Sequence, residues 1–172
     1  MITILETNII DFVGFCEKFD KPDIISFMNE NYFKIIHNIC LKYSGKIGAI
    51  FTDKQFIYWD FKNTNKNILN SCNAAINIYK SISNKVSHLG KYSFQMNIAI
   101  VTGEAIIVKD LPVGVICNIC MQLISIGKKN KKSILIDETT CNGIKKNRLK
   151  YLELDISNMK LIKQKVFELL IN

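Results

Sequence analysis

The sequence predicts an α+β domain with a mixed, mostly antiparallel sheet built around a βαββαβ unit. Three observations carry this. Apolar strand-like runs alternate with stretches of helical periodicity. Two pairs of neighbouring strands are joined by very short turns, which excludes an all-parallel doubly wound sheet. The chain of 172 residues, 48% hydrophobic and 22% charged, fits one folded domain and excludes disorder.

Residues 2–10 (ITILETNII) read as a first strand, apolar on both faces. Lys21-Pro22-Asp23 opens a helix, because proline is accepted in the first turn and an acidic residue suits its N-terminus. Ile25, Met28, Tyr32, Ile35 and Ile39 recur at helical steps as its core stripe, and Ser44-Gly45 ends it. Strands 46–51 and 55–61 follow, joined by Thr52-Asp53-Lys54, a hairpin with a carboxylate at its tip.

A second helix covers about 65–83, with Leu69, Cys72, Ile76, Tyr79 and Ile82 on one face, and a loop over 87–92 follows. Strands 94–101 and 104–109 turn at Thr102-Gly103. A third helix spans about 115–126 and is ended by Gly127. Residues 133–136 form a strand, 137–144 a short helix N-capped by Asp137, and 151–154 and 166–170 the closing strands. This order gives a ferredoxin-like core with helices expected on one face of the sheet.

Composition narrows the function. No apolar run reaches the length of a membrane-spanning helix, and the N-terminus lacks a basic segment and carries Glu6 and Asp11, so it reads as a strand rather than a signal peptide. The six cysteines lie in apolar or helical contexts and read as buried thiols of a reducing, cytoplasmic compartment. Cys117-Asn118-Ile119-Cys120 has ligand-like spacing, but zinc needs two further ligands, and His37 and His88 are badly placed to supply them. The net charge of +8 is concentrated at the end: residues 1–127 carry 12 basic and 10 acidic side chains, residues 128–172 carry 11 and 5. Arg148 is the only arginine, whereas base-reading proteins use bidentate arginines. The basic tail therefore reads as a solvated face before a nucleic-acid surface.

The pair Asp11 and Asp53 is the candidate for chemistry. Asp11 directly follows the first strand, and Asp53 sits at the tip of the hairpin that a βαββ unit places beside it. Two such carboxylates repel unless a cation lies between them, and Mg²⁺ bound by one or two carboxylates plus substrate phosphates suits the pair. The competing reading is that strand-end aspartates are turn formers.

The ordered motifs resemble class III nucleotidyl cyclases over nearly the whole chain. Asp11-Phe12-Val13-Gly14-Phe15-Cys16 resembles their opening motif, and Ser44-Gly45 followed by Ile50-Phe51-Thr52-Asp53 their second. Ala99–Glu104 resembles the strand that ends in a small residue and glycine. Gly114-Val115-Ile116-Cys117-Asn118-Ile119-Cys120-Met121-Gln122-Leu123 is similar to their Gly-x-x-Val-Asn-x-Ala-x-Arg-Leu helix. The resemblance implies that Asp11 and Asp53 bind Mg²⁺ or Mn²⁺, that Asn118 orients the ribose, and that Gln122 takes the place of the transition-state arginine. It sets Phe12, Phe15, Ala49, Leu111 and Lys160 at the substrate; for Lys160 the match is one position off, since Met159 is the aligned residue. Ala49 and Leu111 replace the purine-reading Lys and Asp, with Asp110 one residue away.

The implied substrate is a nucleoside triphosphate, and the implied assembly is a homodimer with sites between subunits. The loss of the purine-reading pair is similar to the standalone bacterial pyrimidine cyclases of Pycsar antiphage defence. The alternative is a degenerate cyclase-homology domain that binds nucleotide or dimerises without turnover.

Overall fold

The computed structural model describes residues 1–87, 94–156 and 164–171. Strand β1 (Ile2–Ile10) is an interior strand of a seven-stranded sheet, and its alternating side chains feed two cores. Leu5 and Ile9 belong to the larger core, Ile2 and Ile4 to the smaller. β2 (Lys46–Phe51) and β3 (Lys54–Trp59) form the hairpin that pairs with β1 on one side. β4 (Gln95–Gly103) pairs antiparallel on the other, so β2-β3-β1-β4 is the ferredoxin-like order. β7 (Ile134–Asp137) runs parallel to β4, and β9 (Val166–Leu169) and β8 (Tyr151–Leu154) complete the sheet.

Helices cover both faces, not one as the sequence suggested. The larger core packs under α2 (Lys21–Phe27), α3 (Lys34–Lys42), α4 (Thr64–Ser87) and α6 (Glu138–Ile144). The smaller core packs under α5 (Val115–Asn130), whose Ile116, Cys120 and Leu123 meet Ile4, Ala99 and Val101. The apolar content of β1 on both faces already required two covers.

Several local expectations need correction. A short helix α1 (Phe12–Cys16), absent from the sequence reading, follows β1. Between α2 and α3 the helix widens to a π-helical stretch, Met28–Phe33. The extra residue rotates the buried face, so Met28, Tyr32, Phe33, Ile36 and Cys40 are buried while Ile25 is exposed. In α4 the buried face runs through Ile68, Cys72, Ala75, Ile78 and Ile82, and Leu69, Ile76 and Tyr79 flank it half-buried.

The expected partner of β4 is not a sheet strand: β5 (Ile106–Val108) pairs with β6 (Leu111–Val113) in a separate two-stranded ribbon. Helix α5 continues past Gly127 to Asn130, where Lys131 in the left-handed region ends it; Gly127 is there because a side chain would crowd Asn97 Nδ2. Lys128 and Lys129 thus lie in its last turn, where the helix dipole favours cations. The expected Asp137 cap is present: its Oδ1 accepts from the Thr140 and Thr102 amides at 3.2 Å each. The loop expected over 87–92 lies almost wholly outside the described residues.

Candidate active site

The β2–β3 turn has only two residues, and Thr52 takes a left-handed conformation (φ 58°) to close it. This turns Asp53 inward. Its side chain is buried, not displayed at the tip as the sequence suggested. Asp53 Oδ2 accepts from Asn8 Nδ2 at 2.7 Å and from the Ile9 amide at 2.8 Å, and Oδ1 faces Thr52 Oγ1 at 2.9 Å. Asp53 is thereby fastened to β1 two residues before Asp11, about 7 Å along the strand.

Asp11 itself is exposed and left-handed (φ 58°), a conformation aspartate tolerates better than most residues. Its carboxylate folds over Gly14, where any Cβ would overlap Oδ2. It borders a cavity of about 360 Å³ lined also by Ile10, Phe15, Lys18, Phe94 and Gln95. The Asp53 charge helps raise the Cys16 thiol pKa, after burial, which puts the end of α1 within electrostatic reach of Asp53. The two carboxylates thus flank the C-terminal end of β1.

Phe12 is half-buried against the larger core, and Phe15 lies within an aromatic cluster with Phe12, Phe19, Phe27 and Phe94. Phe15 is chiefly a packing residue that also lines the cavity beside Asp11.

Gly48 and Ala49 form a bulge opposite Phe56, where the β2–β3 register shifts. A Cβ on Gly48 would stand 3.0 Å from the Asp110 carbonyl, so the bulge meets the turn that leads into Leu111. The structure therefore brings together the segments that carry Ala49 and Leu111. Gln55, fully buried, donates from Nε2 to the carbonyls of Gly48, Ala49 and Phe56 at 3.0, 3.3 and 2.9 Å, and its Oε1 lies 2.8 Å from His37 Nε2. His37 is thus a structural support of the bulge.

Asn118 is exposed and Gln122 half-buried on α5, one turn apart. Helix α5 starts against Gly103, which pairs with Ile2, and runs back along the sheet: Cys120 Sγ meets the Ala99 carbonyl opposite Glu6, and the Ile124 carbonyl accepts from Asn97 opposite Asn8. Gln122 therefore stands level with Glu6 to Asn8 of β1, the stretch that anchors Asp53. Lys160 lies outside the described residues.

Three residues near the site escaped the sequence reading: Glu6, Asn8 and Gln55. On β1 the alternating face reads Ile4, Glu6, Asn8, Ile10, and two polar side chains at a period of two on a central strand were the available signal. Glu6 is fully buried, with neither carboxylate oxygen hydrogen-bonded. Burial pushes its pKa from 4.5 up to about 7, against the opposing pull of Lys54.

Cys117 and Cys120 direct their thiols to the carbonyls of Pro112 and Ala99, and burial raises both pKa values. No group of three or more His, Cys, Asp or Glu able to hold a metal occurs among the described residues. A two-carboxylate site still fits Mg²⁺ or Mn²⁺, because both are hard cations that take further oxygens from substrate and water. Among the described residues no helix is long and apolar enough to cross a membrane.

This architecture is shared with solved structures. The adenylyl cyclase CyaB from P. aeruginosa superposes with a TM-score of 0.82 at 16% identity, over 99% of this chain and 94% of that one. The fold is that of adenylyl and guanylyl cyclase catalytic domains. The catalytic core of a rhodopsin-guanylyl cyclase with converted specificity, in complex with ATPαS, gives 0.81 at 17% identity over 99% and 95% of the two chains. A non-canonical dimeric guanylyl cyclase domain of the RhoGC fusion protein from the aquatic fungus Blastocladiella emersonii gives 0.77 at 17%, over 98% and 95%. No protein-family profile and no curated protein sequence matches the chain.

Proposed function

We propose that the chain is a metal-dependent nucleotidyl cyclase, converting a nucleoside triphosphate to a 3′,5′-cyclic mononucleotide and pyrophosphate. The observation that carries this reading is the pairing of Asp11 and Asp53 at one end of β1 within a cyclase fold. Asp11 and Asp53 would hold Mg²⁺ or Mn²⁺, which when bound lowers the pKa of the ribose hydroxyl and neutralises the departing pyrophosphate. The ribose 3′-oxygen bonds to the α-phosphorus, the bond to the β-phosphate oxygen breaks, and the hydroxyl proton leaves to water. Asn118 orients the ribose, and Gln122 donates a neutral hydrogen bond where the resemblance implies an arginine.

The site is formed between two copies in a homodimer. The apolar surface of Ile50, Phe51, Ile106, Val113, Val115 and Met121, all more than 40% exposed on the hairpin, the ribbon and α5, supports this. Base choice is altered away from adenine, toward a pyrimidine. Ala49 and Leu111 leave an apolar, shortened pocket without the purine-reading pair, as in the pyrimidine cyclases of antiphage defence that the sequence resembles.

The second reading, a degenerate module that binds nucleotide without turnover, draws support from Gln122. A neutral donor is roughly half as strong as a charged one, and loss of such a donor typically costs about 10²–10³ in rate. Pyrophosphate release from ATP, GTP, CTP and UTP, in Mg²⁺ and in Mn²⁺ with products resolved by mass, separates the two. A cyclic mononucleotide from one triphosphate supports the enzyme and identifies its base. Binding without product from any of the four supports the degenerate module.

A further inference from the structure

The two oxygens of Asp53 are not equivalent. Oδ2 is held by two donors, Asn8 Nδ2 at 2.7 Å and the Ile9 amide at 2.8 Å, which fill the two lone-pair directions of one carboxylate oxygen. Among the described residues Oδ1 faces only the Thr52 hydroxyl, at 2.9 Å. That hydroxyl has one proton, and the Phe51 carbonyl competes for it at the shorter distance of 2.6 Å. Even with that proton donated to Oδ1, the stronger acceptor as a carboxylate oxygen, one lone pair of Oδ1 stays open. The Asn8 amide is oriented by its partner, since an ionised carboxylate only accepts. It is also backed by the sheet: its cross-strand neighbour Asn97 is buried and donates to the Ile124 carbonyl of α5 at 2.9 Å.

We propose that Asn8 is a positioning residue that occupies Asp53 Oδ2, so that Asp53 meets a divalent cation through Oδ1 alone and the site favours Mg²⁺ and Mn²⁺ over Ca²⁺. Single-oxygen ligation suits small octahedral ions at about 2.0–2.1 Å, whereas Ca²⁺ takes six to eight oxygens and often both oxygens of one carboxylate. The inference rests on the reading of Asp53 as a metal ligand.

The test is direct binding of Mn²⁺ to the full chain, followed by its electron spin resonance signal, with Ca²⁺ as competitor and no nucleotide present. The wild-type protein is expected to prefer Mn²⁺ by about tenfold or more. Asn8→Leu, of similar size but without a donor, is expected to weaken Mn²⁺ binding about tenfold, in line with the usual effect of removing a partner of a metal ligand. It is also expected to narrow the preference over Ca²⁺, because Oδ2 becomes available. A folded Asn8→Leu protein with unchanged affinity and unchanged preference overturns the inference. So does a wild-type protein that binds the two ions equally, a comparison that needs no variant. A wild-type protein that binds no Mn²⁺ at all overturns the metal site itself, and the inference with it.

Discussion

Lys54 Nζ lies 3.7 Å from Glu6 Oε1, and the two residues differ sharply in exposure: the Glu6 side chain is fully buried while Lys54 is 36% exposed. A carboxylate in this position holds its proton more tightly in the folded chain than in the unfolded one, with a pKa of about 7 against 4.5. The folded protein therefore binds extra proton between pH 4.5 and about 7, and stability falls as pH rises through that window. Above it the loss is complete, on the order of 3 kcal/mol. Glu6→Gln, which stays neutral, should unfold at a higher urea concentration than the wild type at pH 8 and at nearly the same concentration at pH 4. Parallel midpoints at both pH values would contradict this.

The two candidate metal carboxylates should respond very differently to substitution. Asp53→Ala removes the acceptor for the Ile9 amide and the Asn8 amide group, and leaving buried donors unpaired costs about 2–3 kcal/mol. Asp11→Asn is expected to cost less than about 0.5 kcal/mol. Asp11 is exposed, makes no capping bond, and asparagine accepts its left-handed backbone. Both changes should abolish turnover, but only Asp11→Asn does so in a protein of near wild-type stability. Urea midpoints measured beside activity check this, and equal losses of stability would contradict the Asp53 network.

Much of this arrangement is legible in the sequence. The βαββαβ order followed from strand and helix periodicity, and Asp137 announced itself as a cap because a strand ended there and a helix began. What escaped were features set by tertiary contacts. The π-helical stretch leaves no mark in an apolar stripe that fits a regular helix equally well. Residues 104–109 have strand character whichever partner they find, and only the turn at Lys109-Asp110, both at positive φ, folds them onto Leu111–Val113. Gly127 looked like a helix end because glycine so often is one, yet it is required there by the close approach of Asn97. Asp53 stands out in the sequence for its type and position, but its orientation comes from Asn8, and cross-strand register is invisible to a single sequence.

If Gln122 is the weak point of the machinery, restoring charge should strengthen it. Gln122 is half-buried on α5 one turn beyond Asn118, so a longer side chain has a route outward. Gln122→Arg is expected to raise kcat by about 10–100-fold on the triphosphate the wild type uses, since a charge-assisted donor is about twice as strong as a neutral one. Steady-state kinetics of the purified protein would show it. An unchanged or lower kcat would indicate that this helix face does not approach the transition state.

The last prediction concerns the bulge. Gln55 has no access to solvent, yet its amide group serves three carbonyls, two of them the bulge carbonyls of Gly48 and Ala49. Gln55→Leu leaves these without their side-chain donor and should cost about 2–3 kcal/mol. His37→Ala should cost less, because His37 is half-buried and water can reach the Gln55 Oε1 it leaves behind. Neither residue is proposed to touch the nucleotide. Their effect on catalysis runs through the placement of Ala49, so KM for the triphosphate should rise several-fold in both variants while kcat falls less, and the preference among the four bases should broaden. Competition among the triphosphates in one reaction measures that broadening directly. A stability loss with base preference unchanged would make the bulge a purely structural feature and remove Ala49 from the base pocket.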